Sequence, residues 1–107
     1  MALFLWQFAF TSKAWEQQMG EHISPFDHLD DKVAGEFGGV VRQSWYAFGE
    51  YDVIAVVEMP DNESMAAYVL AMNALGYLSG GKTTVLMSMD EGGSALKRAG
   101  EAMELRE

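Results

Sequence analysis

The sequence predicts an α+β domain with the element order β-α-β-β-α-β, a split βαβ arrangement, followed by one further helix. Three observations carry this reading. Residues 2–10 (Ala-Leu-Phe-Leu-Trp-Gln-Phe-Ala-Phe) and 53–57 are apolar at almost every position, as strands covered on both faces are. Apolar residues spaced by three and four mark helices near 26–37 and 65–76. Capping residues and Gly or Pro turns separate these runs. In a split βαβ sheet the four antiparallel strands lie in the spatial order 4-1-3-2, so the first and third are central.

Each element has its own signal. After the first strand, Thr11 or Ser12 can cap a helix carrying Trp15 and Met19, interrupted near Gly20. Ser24-Pro25 reads as a second start, with proline at the first helical position, and Phe26, Leu29, Val33 and Phe37 form its stripe up to Gly38-Gly39. Val40 to Phe48 forms the second strand and Asp52 to Met59 the third. Gly49-Glu50 between them suits a two-residue hairpin, with glycine supplying the positive φ. Asp61 or Asn62 caps the next helix, lined by Met65, Val69 and Met72. Gly80-Gly81 closes a loop before a fourth strand, Lys82 to Met89. Asp90 caps a last helix through Ala95, Ala99 and Met103. Arg42, Gln43, Ser44, Lys82, Thr83, Thr84 and Ser88 give the outer strands a polar character suited to sheet edges.

The 107 residues fit one domain, 1–107, with residues 100–107 as a frayed tail. Half are hydrophobic and none is cysteine, so the core needs no disulfide, and thiol nucleophiles and cysteine zinc sites are excluded. A formal charge of −9 repels phosphate backbones and argues against nucleic acid as a partner. No apolar run approaches the roughly 20 residues of a membrane span, and the apolar start lacks a basic region and a cleavage site. A cytoplasmic domain without membrane contact is expected.

Two principal helices cover one face of such a sheet, yet both faces of the central strands are apolar. Four strands at ~4.8 Å spacing leave an uncovered face on the order of 300 Å². A second copy packed sheet against sheet in a C2 dimer covers it with least new structure. The alternative is a monomer whose terminal helix folds over that face.

Gly49-Glu50-Tyr51-Asp52, at a hairpin between two strands, resembles the Gly-x-Tyr-Asp signature of the GYD domain family. Gly38-Gly39, Tyr46-Ala47-Phe48, Pro60-Asp61-Asn62 and Lys82-Thr83-Thr84 match in order, so the resemblance runs from residue 3 to about 98. It implies a ferredoxin-like fold of the dimeric α/β-barrel type and says little about activity. Where relatives tend to carry Pro-x-Asp-Arg in the first helix, this chain has Pro25-Phe26-Asp27-His28, so an anion-binding role for that arginine does not carry over.

A two-residue hairpin would pair Phe48 with Tyr51, Ala47 with Asp52, Tyr46 with Val53 and Trp45 with Ile54. Gln43, Trp45, Asp52 and Glu58 would then project one way, and Arg42, Ser44, Tyr46, Phe48 and Tyr51 the other. Asp52 beside Trp45 is a candidate general base in an aromatic pocket, with Tyr51 orienting a substrate oxygen. The alternative is that Asp52 accepts backbone N–H bonds at the turn while Tyr51 packs across it. His28, three residues from Asp31 on the predicted helix, is a candidate proton shuttle, or part of a solvated acidic face. His22 and His28 are six residues apart and share no helical face, so no metal site is expected. Trp6 and Gln7 lie on opposite faces of the central strand, where a glutamine needs an internal partner or lines a cavity. Trp6, Gln7, Gln43, Trp45 and Tyr46 are the candidate ligand-binding set. Lys82 after Gly80-Gly81 lacks the spacing of a phosphate-binding loop.

These readings suggest a homodimeric domain that binds a small apolar or aromatic metabolite between sheet and helices, without a cofactor. The alternatives are a cofactor-free monooxygenase or isomerase/lyase, by analogy of fold alone, and a purely structural scaffold.

Overall fold

The structure, a computed structural model, describes residues 1–21 and 26–105; of residue 21 and residues 26–30 the backbone alone is described. In chain order the elements are β1 (Ala2–Phe10), α1 (Ser12–Glu21), α2 (Phe26–Glu36), β2 (Val40–Tyr46), β3 (Val53–Met59), α3 (Asn62–Ala74), β4 (Leu78–Leu86) and α4 (Met89–Glu104). The four strands form one antiparallel sheet in the order β2-β3-β1-β4, the expected 4-1-3-2 read from the other edge.

Alternation along the two central strands places the core. Phe4, Trp6, Phe8 and Phe10 of β1 and Val53, Ala55, Val57 and Met59 of β3 are buried on one face. There they meet Ala14 of α1, Ala34 of α2, and Met65, Tyr68 and Met72 of α3. The rings interlock: Trp6 lies 4.5 Å from Phe8 and edge-on to Tyr68 at 5.1 Å. Such aromatic pairs contribute about 0.5–1.5 kcal/mol each beyond their buried area.

The other face carries Leu3, Leu5, Gln7 and Ala9 of β1, Ile54 and Val56 of β3, Trp45 of β2 and Leu86 of β4. All are half-buried or exposed, and the Trp45 side chain is 50% exposed. Among the described residues no helix covers this face. Helix α4 buries none of its residues, and the molecule measures 64 × 29 × 20 Å. Ser88 caps α4 in place of the expected Asp90, through a capping box with Glu91. A serine hydroxyl one turn ahead of a glutamate closes both orphan N–H groups, which Asp90 inside the first turn cannot do.

Three boundaries differ from expectation for reasons the packing supplies. Strand β4 begins at Leu78, not Lys82, so Gly80-Gly81 lies inside it. A Cβ at Gly81 would meet the Gln7 carbonyl oxygen at 2.8 Å and Phe8 Cβ at 3.3 Å, so glycine there serves close approach to β1. Gly76, at φ +84°, and not Gly80-Gly81, makes the turn after α3. The β2–β3 connection is wider than a two-residue hairpin: the strands end at Tyr46 and Val53, and the positive φ falls on Phe48 (+52°), not on Gly49. The Phe48 ring lies against Tyr46 at 5.5 Å and Trp15 at 6.2 Å, contacts that offset the backbone strain.

Candidate functional site

The pairs Tyr46–Val53 and Trp45–Ile54 form as expected, but a register shift between Val41 and Gln43 makes Arg42 a bulge. Arg42 is thereby turned to the uncovered face, where it forms an ion pair with Glu58, and not to the face of Tyr46. The candidate ligand residues divide between the two faces. Gln7, Gln43 and Trp45 lie on the uncovered face, whereas Trp6 is buried beneath the helices and Tyr46 pairs with buried Val53 on the helix side.

Tyr46 belongs to an aromatic group at one end of the helix side. Its ring is 6.3 Å from Trp15 and nearly parallel to Phe48, and Trp15 meets Phe10 edge-on at 5.1 Å. The Tyr46 hydroxyl donates to Gln18 Oε1 at 2.6 Å, and Gln18 Nε2 donates to the Ala14 carbonyl at 3.3 Å. Gln18 is the buried polar side chain among the described residues, and these two bonds account for its burial.

Asp52 is a structural stitch in this geometry. Its Oδ2 accepts the Phe10 N–H at 2.9 Å, its own N–H donates to the Phe8 carbonyl, and its carbonyl accepts the Ala47 N–H, each at 2.9 Å. Phe10 needs such a partner because the β1–β3 pairing ends at Phe8 and Val53. Tyr51 is half-buried, and its carbonyl accepts the Gly49 N–H at 3.2 Å. His28 lies on the backbone of α2, and its side chain is outside the described residues, as is His22 altogether. The Ser24-Pro25 start likewise lies outside them. Thr11 caps α1, its Oγ1 accepting the Ala14 N–H at 3.2 Å.

At the opposite end of the helix side a groove of about 470 Å³ opens between α3 and β4. Phe4 forms its floor, Met65, Ala66, Val69 and Leu70 one wall, and Thr83 and Val85 the other, with Asn62 at the end. Asn62 and Thr83 are its polar side chains, and no charged residue lines it. The volume lies in the range of about 300–1,000 Å³ usual for small-molecule sites. None of the candidate catalytic or ligand-binding residues lines it; of the other residues noted in the sequence, Met65 and Val69 of the helical stripe, the cap candidate Asn62 and the edge threonine Thr83 do. The overlooked signal is α3 itself: residues 65–72 (Met-Ala-Ala-Tyr-Val-Leu-Ala-Met) are apolar on every side, so one side faces something other than the core. Leu70, 70% exposed, is on that side. Among the described residues no three metal-ligating side chains converge, and no helix is long and apolar enough to cross a membrane.

Known proteins add the following. No curated protein matches the sequence. The crystal structure of FFRP-DM1 is 13% identical, with a TM-score of 0.55, covering 81% of this chain and 100% of that one. A hypothetical protein, PHS023 from Pyrococcus horikoshii, is 14% identical with a TM-score of 0.52, covering 82% and 92%. An uncharacterized NIPSNAP domain protein from Burkholderia xenovorans is 13% identical with a TM-score of 0.47, covering 82% and 94%. At such identities the first two support the ferredoxin-like fold and nothing about activity. The profile of the GYD domain matches residues 4–96, most of the chain, and the protein belongs to the GYD domain family.

Proposed function

We propose that the protein is a homodimer, joined through its uncovered sheet faces, that holds a small neutral apolar or aromatic molecule between sheet and helices. The observation that carries the binding reading is the groove between α3 and β4, with apolar walls from Phe4, Met65, Val69, Leu70 and Val85. Absence of charge along it favours an uncharged ligand, and the formal charge of −9 on the whole chain disfavours an anion further. Asn62 and Thr83 supply hydrogen bonds that would orient one polar group. The dimer is supported by Leu3, Leu5, Ile54, Val56 and Trp45 standing together on the uncovered face.

A panel of neutral aromatic and aliphatic compounds, read by melting temperature and tryptophan fluorescence, tests the binding reading. Trp6 lies in the core beside Tyr68 of α3 and serves as reporter. The expected result is a ligand that raises the melting temperature of the natural chain and not of a Leu70→Glu variant. A panel without any response, or a response unchanged by Leu70→Glu, contradicts it.

A further inference from the structure

We propose that α4 is an arm that each copy of the chain lays on the body of the other. The inference rests on the dimer reading above and extends it to an element outside the sheet. The large apolar residues of α4 are Met89, Leu96 and Met103, with Gly92 and Ala99 between them, a spacing of three and four that keeps all five on one side. Gly93, Ala95, Gly100 and Ala102 flank them. Every charged residue of the helix, from Asp90 and Glu91 through Lys97 and Arg98 to Glu101 and Glu104, falls on the opposite side. The uncharged side covers about half the helix circumference, broader than a coiled-coil seam and typical of a helix lying on a globular surface. Among the described residues that side stays largely open: Met89 is 92%, Leu96 76% and Met103 50% exposed.

The helix also contains more glycine than a solvated helix tolerates. A helix of about this length is marginal in water even with good helix formers, and Gly92, Gly93 and Gly100 weaken it further. A Cβ at any of the three would meet nothing within 4 Å, so among the described residues no atom of the same chain requires glycine there. A surface from outside the chain, pressed close against this side, accounts for both the helix and its glycines.

The area a stable dimer needs identifies that surface as a second copy. The uncovered sheet face offers a footprint on the order of 300 Å², less than half of the ~800 Å² per partner in a stable interface. Helix α4 is about 24 Å long and about 10 Å wide, and under twofold symmetry each copy both gives and receives an arm. Together these reach the standard size. A depression of about 640 Å³ at the root of α4 is lined by Leu3 and Leu86 of the uncovered face and by Met87, Ser88 and Glu91, where the chain leaves β4 and enters the helix.

The test uses the full chain and a Leu96→Lys/Met103→Lys double variant, compared by sedimentation equilibrium. Since Leu96 is largely and Met103 half exposed within one copy, the variant should keep its circular dichroism. Its dimer Kd should rise about tenfold or more. In the natural chain, α4 amides should resist hydrogen exchange at concentrations where the dimer prevails and lose that protection on dilution. A natural chain that dimerises with a Kd the double variant shares, and whose α4 amides exchange freely throughout, overturns the arm and leaves the dimer standing. A natural chain that is monomeric at every concentration overturns both.

Discussion

Asp52 shows how one side chain can serve both a family signature and the folding of a sheet end. The β1–β3 pairing ends at Phe8 and Val53 and leaves the Phe10 N–H beyond the ladder, and the Asp52 carboxylate takes it at 2.9 Å. Asp52→Ala should therefore lose about 1–3 kcal/mol in urea unfolding, since a mostly buried N–H is left unpaired. Asp52→Asn, which keeps an acceptor oxygen, should lose clearly less; equal losses would contradict the stitch. At Asp61 the Ser64 N–H, bonded at 2.8 Å, holds the carboxyl below its ordinary value of 3.8. A lowered folded pKa contributes stability that is present above the unfolded value and is lost as the pH falls through the folded one. An Asp61→Asn protein retains the cap without the charge. The stability difference between natural chain and variant should thus shrink as the pH drops below 3.8, and a difference independent of pH would contradict this cause.

At the scale of elements, much of the fold was legible because parity and helical spacing are local signals. The runs at 2–10 and 53–57 identify β1 and β3 as central, and the observed order agrees. The start of β4 was not legible. Gly80-Gly81 reads locally as a turn, and only the approach of Gly81 to Gln7 and Phe8, some seventy residues distant in sequence, makes it strand. The widened β2–β3 loop was hidden for a similar reason, since the positive φ of Phe48 depends on stacking with Trp15 of another element. The groove was illegible as a site because its walls come from α3 and β4 and its floor from β1. Substitution at the exposed Leu70 should separate site from fold: Leu70→Glu should leave stability within about 0.5 kcal/mol while removing ligand response. A large loss of stability in urea unfolding would show that Leu70 belongs to the core.

Taken as a whole, the described residues form one sheet with cladding on one of its faces. Helices α1, α2 and α3 gather on the side of Phe4, Trp6 and Phe8, while α4 adds length rather than cover. The apolar side chains left on the other face are the reason a partner copy is invoked, and a charge placed there should act on assembly alone. Ile54→Glu should give a folded, monomeric protein with native circular dichroism, because Ile54 projects away from the core. An Ile54→Glu protein that assembles as the natural chain does would remove the sheet face from the interface. The most direct measurement is the mass of the natural chain by light scattering at low micromolar concentration: twice 11.8 kDa is the result this account predicts, and a stable particle of 11.8 kDa would contradict it.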